Sequence, residues 1–301
     1  MTKSFNTIES KGQDGITNAD GRTLGKVYLV GAGPGAADLI TVRGAKLLAK
    51  ADVVLHDALV EPEMLALSPQ AKLIAVGKRC GKLSSAQQFI NKRLIDAAHQ
   101  HQIIVRLKGG DPMLFGRADE EIQTLKAASV EVSVVPGITA ALAGAASIQQ
   151  SLTLRGISRS VAFVTLAQGT ENVPEANSTA PISNPNADTL VYYMGRKDAA
   201  RIAKQLIEQN TQGLSKHSVD TPVQILEAVS TPRERQWTST LAELAAGKAD
   251  TWFDSSSPAL IMIGEALRDK TQSLENLERS SPKVDNGLQD SHILTNGRRR
   301  A

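Results

Sequence analysis

Three short glycine-bearing stretches contain the residue types from which a ligand cleft is built. They are Gly31-Ala32-Gly33-Pro34-Gly35-Ala36, Arg106-Leu107-Lys108-Gly109-Gly110-Asp111-Pro112 and Val134-Val135-Pro136-Gly137-Ile138-Thr139-Ala140-Ala141. Paired glycines let the backbone approach a ligand closely, and Asp111 supplies an acceptor for hydroxyls or an amine. In the third stretch small residues open a helix against something bulky. The first superficially matches the dinucleotide fingerprint G-x-G-x-x-A, with Asp57 after the next strand, roughly where a ribose-binding acid about 20 residues on is wanted. Two features speak against that reading. Pro34 removes an N–H from the turn that would cradle a pyrophosphate, and the following helix starts late, near Thr41.

Most of these residues also have an ordinary structural explanation. Asp57 alone would cap a turn, Lys78-Arg79 would be a solvated loop, Met194 core packing and Thr139 a helix cap. Arg117 lies at a helix start, where a cation opposes the macrodipole, so a stabilising role is not expected of it. The five histidines show no metal-ligand spacing, and no metal is expected. Cys80, though set among cations, reads as incidentally exposed.

The elements that must position these loops follow from the alternation of β-branched runs and helical patterns. Strands are expected over 26–30, 52–55, 72–76, 103–107 and 130–135, with helices from Thr41 to about Lys50, from Ser84 or Ser85 to about His99, and over 117–126. That order argues a largely parallel sheet with helices on its faces, with its ligand beyond the carboxyl ends of the strands. A second set of strands is expected over 160–165, 190–193, 222–226 and 259–263, with a helix over 199–209. The fold class is therefore α/β, with two α/β domains, 25–136 and 137–268. Residues 1–24 read as a disordered leader, 269–301 as a polar, disordered tail ending in three arginines, and 168–187 as a long exposed loop.

Composition excludes several classes. With 301 residues, 41% hydrophobic and 22% charged, the chain is an ordinary globular one. A net charge of +3 and 3% aromatics give no basic, stacking surface for nucleic acid. One cysteine excludes an intramolecular disulfide framework, and neither a signal peptide nor an apolar run of membrane-spanning length is visible; a cytoplasmic protein is expected.

Gly31 to Gly35, the run Arg106 to Arg117 (RLKGGDPMLFGR), Val134 to Ala141 (VVPGITAA) and Tyr193-Met194-Gly195 together resemble the tetrapyrrole methylases, and most of all the uroporphyrinogen-III C-methyltransferases. The resemblance covers about Gly25 to Leu267. It implies two α/β domains with a cleft between them, a homodimer, and S-adenosylmethionine held as co-substrate in that cleft. By motif match it places Pro34, Gly109, Gly110, Asp111, Leu114, Thr139, Ala140, Met194, Val229 and Ala259 around that molecule. It assigns Asp57 and Lys78 as base and acid, leaves open whether Asp57 or Arg117 handles the proton, and turns Arg117, Glu120 and Arg155 toward a tetrapyrrole rich in carboxylates. Arginine suits that task because its planar fork grips carboxylates bidentately.

Several positions depart from the pattern of the uroporphyrinogen enzymes: His56, Leu83, Ala118-Asp119, Leu154-Arg155-Gly156 and Thr165-Leu166-Ala167. They concentrate on the substrate side, while the cofactor motifs are kept. The implied reaction is conversion of uroporphyrinogen III to precorrin-2, serving sirohaem or cobalamin synthesis. Methylation of a later precorrin, a nicotinamide-dependent oxidoreductase and a catalytically silent binding module stand as the alternatives. With no long α/β region ahead of Gly25, oxidation or chelation of precorrin-2 is not expected of this chain.

Overall fold

The computed structural model describes residues 23–77, 83–166 and 184–269, without the side chains of 83–86. Ten strands form two five-stranded sheets. The first contains β1 (Lys26–Gly31), β2 (Val53–His56), β3 (Lys72–Ala75), β4 (Ile103–Lys108) and β5 (Val132–Val135), in the order β3-β2-β4-β1-β5. All its pairings are parallel, so its central strands are covered on both faces and read as apolar runs. Alternation along β1 sends Val27 and Leu29 to one side, with Leu94 and Ala98 of α3 (Leu83–Gln100) and Leu125 of α4 (Ala118–Ala127). Val30 goes to the other side, with Leu48 of α1 (Val42–Leu48) and Met64 of α2 (Pro62–Leu65).

The second sheet holds β6 (Val161–Thr165), β7 (Thr189–Tyr193), β8 (Pro222–Glu227), β9 (Arg235–Thr240) and β10 (Ala259–Gly264), in the order β6-β7-β10-β8-β9. Only β6 and β7 pair in parallel; the other three pairings are antiparallel. One face packs on Ile202 and Leu206 of α6 (Ala199–Thr211) and on Leu241 and Leu244 of α7 (Leu241–Ala245). The other receives α5 (Ala140–Ser147), whose small residues bring it close: a Cβ on Gly144 would sit 3.6 Å from Leu226. Both sheets belong to one compact unit of the chain that ends at Leu267.

The expected elements are present with shifted ends, and the shifts have local causes. Asp52 lies outside β2 because its carboxylate accepts from Gln102 and Ile103 N–H, at 2.9 and 2.8 Å. Val130 lies outside β5 because Ser129, at φ 57°, turns the chain back so that Val130 N–H reaches Leu125 O at 2.9 Å, closing α4. Thr41 caps α1 as expected, accepting from Gly44 N–H at 3.1 Å. Strand β9 is not in the sequence reading, since RQWTST turns only Trp237 toward the apolar core as an edge strand. The expected leader, tail and long loop lie almost wholly outside the described residues; 184–187 carry no regular structure. Among the described residues no helix is long and apolar enough to cross a membrane.

Candidate active site

The three glycine stretches meet at the carboxyl end of the first sheet. Gly31 ends β1, and a Cβ there would lie 2.5 Å from Gly137 Cα and 2.7 Å from Gly110 O. Gly33 and Gly110 exchange backbone hydrogen bonds, at 3.2 and 2.7 Å. Asp111 ties the second stretch to the third: Oδ2 accepts from Gly137 N–H and Oδ1 from Met113 N–H, both at 2.8 Å. Each of its oxygens is thus engaged by backbone, while keeping a second lone pair for a ligand. Gly110, at φ 69°, faces open space among the described residues: a Cβ there meets none of them within 4 Å. The backbone here is folded around a volume that the described residues leave free.

Loops from the second sheet close on these stretches. Tyr193, at the end of β7, puts its hydroxyl 2.6 Å from Thr139 Oγ1 and accepts from Ala141 N–H at 3.2 Å. Thr139 holds the N-cap position of α5, as expected, yet its side chain makes no cap bond and turns to Tyr193 instead. Burial pushes the Tyr193 phenol up, and the bonds to Thr139 and Ala141 oppose this. Phe115, on the loop after β4, packs against the Tyr193 ring, the two centroids 5.2 Å apart and the planes tilted by 59°. After β8, Val229 O and Thr231 approach Gly35, and Ala36 N–H donates to Ser230 Oγ at 3.1 Å. Arg233 pairs with Glu61 at 3.1 Å.

Non-glycine residues with positive φ gather in the same loops: Phe115, Arg117, Met194, Ala228 and Ser230. Strain of this kind, costing about 1–3 kcal/mol at each position, collects at ligand sites. Met194 is 56% exposed, against the packing role its type alone suggests. Pro34, Leu114, Thr139, Ala140 and Ala259 are half-buried. Val229 differs: its side chain is buried against α5 and the second sheet, which leaves its backbone as the part able to meet a ligand.

Asp57 stands at the end of β2, beside β4, with its N–H on Leu107 O at 3.3 Å and its side chain 31% exposed. Its neighbour Leu59 approaches Gly109. Asp57 Oδ1 accepts from Arg106 Nη2 at 2.5 Å, and Arg106 is itself buried. Arg117 and Glu120 come together as an exposed bidentate pair at 2.7 and 2.8 Å. Arg155 sits apart in an exposed turn closed by the Leu154–Ser158 bridge, with Gly156 at φ 80°. Lys78 lies outside the described residues.

Arg106, Lys108 and Glu121 have no assigned role in the sequence reading. Arg106 and Lys108 alternate on one face of a central strand, so each must find a buried partner. Glu121 shares a helix face with Ala118 and Leu125, a carboxylate inside an apolar stripe. Those two patterns are the signal that points to the cluster. Glu121 Oε1 accepts from Lys108 Nζ at 3.0 Å and Arg106 Nε at 3.2 Å. Burial, then the Arg106 charge, holds the Lys108 ammonium below its usual range. Among the described residues no group of three or more His, Cys, Asp or Glu is placed to hold a metal.

A doubly covered parallel sheet with glycine loops at its carboxyl end, closed by loops of a second sheet, defines a small-molecule cleft enzyme of α/β class. Residues 26–245 match the family of Tetrapyrrole (Corrin/Porphyrin) Methylases, and the chain belongs to it. It is 42% identical to the uroporphyrinogen-III C-methyltransferase of a Synechocystis species, over 81% of this chain and 90% of that one. It is 40% identical to a Psychrobacter siroheme synthase over 84% of this chain, and spans about half the length of that relative (50%). The structure of the Thermus thermophilus uroporphyrin-III C-methyl transferase complexed with S-adenyl homocysteine superposes with a TM-score of 0.67 at 37% identity, covering 81% of this chain and 99% of that one.

Proposed function

We propose that this chain is an S-adenosylmethionine-dependent C-methyltransferase that converts uroporphyrinogen III to precorrin-2 by two methyl transfers, for sirohaem or cobalamin synthesis. The observation that supports this best is the open space in front of Gly110, framed by three interlocked backbone loops; family membership and the ligand of the Thermus structure agree with it. In this reading the donor lies against Pro34, Gly109, Gly110, Asp111, Leu114, Thr139, Ala140, Met194, Ala259 and the backbone of Val229. When bound, S-adenosylmethionine supplies an electrophilic methyl on a sulfonium sulfur. For each methyl gained, a pyrrole carbon forms the new C–C bond, the C–S bond breaks, and one proton leaves the tetrapyrrole.

Asp57 takes that proton. Its carboxylate is partly exposed at the cleft mouth and held by Arg106, whereas the Arg117 guanidinium stays protonated and is committed to Glu120. Arg117, Glu120 and Arg155 meet the substrate's carboxylates, and Lys78 is the acid. The domain boundary falls between β5 and α5, since α5 packs on the second sheet. The protein works in the cytoplasm as a homodimer; the exposed Leu142 of α5 and Phe163 of β6, beside an apolar groove, support the pairing.

The reading is tested by anaerobic incubation with uroporphyrinogen III and methyl-labelled S-adenosylmethionine. Label on two ring carbons is expected. S-adenosylhomocysteine binding without transfer would reject uroporphyrinogen III in favour of a later precorrin or a catalytically silent binding module, and no binding would reject the methyltransferase reading itself.

A further inference from the structure

We propose that Glu121 is a positioning residue for methyl transfer: through Arg106 it fixes the carboxylate of Asp57 at the cleft mouth. The inference rests on the reading that Asp57 takes the proton. Every branch of the Arg106 guanidinium is committed. Nε donates to Glu121 Oε1 at 3.2 Å, Nη1 to Leu107 O at 3.2 Å, and Nη2 to Asp57 Oδ1 at 2.5 Å. One end of the fork is therefore anchored in the protein interior while the other presents a fixed donor to the partly exposed Asp57. A rigid fork transmits position from one carboxylate to the next as a flexible ammonium does not.

Glu121 is itself held from three elements. It rises from the first turn of α4 and is fully buried. Lys108 of β4 reaches Oε1 at 3.0 Å, and Gln87 of α3 reaches it at 3.3 Å. Gln87 also donates to Asn91 at 3.0 Å, and Asn91 to Thr124 of α4 at 2.9 Å. Glu121 Oε2, by contrast, has no hydrogen-bond partner among the described residues. A fully buried carboxylate with one oxygen unpaired is a poor device for stability, where apolar packing does as well or better. Its connection through Arg106 to the cleft carboxylate is what accounts for its presence, as local rules are broken where function requires it.

The test is a double-mutant cycle on turnover, with affinity and stability read alongside. Asp57→Asn should lower kcat by about a hundredfold or more. Glu121→Gln should lower it about tenfold or more, with KM for both substrates within about twofold, because a displaced catalytic group costs rate rather than binding. In the D57N background, E121Q should have no further effect on kcat. The pair K108M/E121Q, which removes the buried Lys108–Glu121 ion pair together and leaves Arg106 on Asp57, should recover the melting temperature without recovering kcat, and carries the same comparison where E121Q alone does not fold. Recovery of kcat along with stability would reduce Glu121 to a structural residue. Full additivity of E121Q with an impaired D57N would overturn the role of Glu121 alone; wild-type turnover in D57N would overturn the reading of Asp57 and this proposal with it.

Discussion

Two completely buried carboxylates, Glu227 at the end of β8 and Glu121 in the first turn of α4, are partnered differently. Glu227, at the end of β8, has both oxygens satisfied: Oε2 pairs with Arg235 of β9, and Oε1 accepts from Asp254 N–H at 2.9 Å. Arg235 lies over the Trp252 ring at 4.6 Å and donates to Trp252 O at 2.9 Å. Bonds from Ser256 and Ser257 draw the Asp254 carboxyl down to about 2. This is a knot that closes the end of the second sheet on itself. Glu121 leaves one oxygen unpaired and spends the other on cations that lead to the cleft. The comparison teaches that burial of a charge does not by itself mark function; what its partners touch next does.

That contrast can be broken or sharpened by substitution. The largest effect is expected at Gly110, where φ 69° strains a branched side chain and the open space would be filled by it in place of the donor. Gly110→Val should weaken S-adenosylhomocysteine binding at least about a hundredfold by calorimetry, since strain and filled volume add. Retained affinity would place the donor elsewhere. Next in size is Glu227→Gln, which leaves Arg235 without its buried partner. Stability should fall by about 2 kcal/mol in urea unfolding, while turnover per folded molecule stays at the wild-type value. A loss of kcat like that expected for E121Q would erase the distinction between the two carboxylates.

The glycine-loop side of the candidate site is readable in the sequence because it is built from backbone. Glycines at Gly31, Gly33, Gly109, Gly110 and Gly137 announce close approach wherever they occur, and their spacing after β-branched runs places them at strand ends. The side around Asp57, proposed to be catalytic, is only half readable. Asp57 follows a strand and is visible, but its anchor depends on Arg106, 49 residues away, and on Glu121 beyond that. Partners so distant in sequence are set by the order β3-β2-β4-β1-β5, which places β4 between β2 and β1 and cannot be read from local pattern. The turn of Thr139 toward Tyr193 was hidden for the same reason: a good cap residue was recruited by a neighbour from the other sheet. β9 escaped because a polar edge strand carries little hydrophobic alternation.

Smaller effects probe the joint between the sheets. Tyr193→Phe removes the hydroxyl that serves Thr139 and Ala141. About 1 kcal/mol of ordering at the start of α5 should be lost, seen as roughly fivefold weaker S-adenosylhomocysteine binding. Unchanged affinity would show that the loop holds its shape without the second sheet. The smallest effect is expected at Asp188, far from the cleft chemistry. Lys216, together with Arg159 N–H and Ser160, holds its carboxyl well below the usual carboxylate range. A depressed folded value stabilises at pH above the unfolded value of about 3.9 and is lost as pH falls through the folded one. Asp188→Asn should therefore melt slightly lower than wild type at pH 7, with a gap that stays constant down to about pH 5 and narrows below about pH 4. A gap that widens in acid would reverse the assigned sign.

That loops of both sheets together form the donor cleft is tested most directly by hydrogen exchange with and without S-adenosylhomocysteine. Slower exchange is expected together in 31–36, 109–115, 137–141 and 193–195, and at 228–230, with β9 and the Arg235–Asp254 knot unaffected. Protection confined to one sheet, or centred on the Glu227 knot, would contradict a cleft assembled from the loops of both.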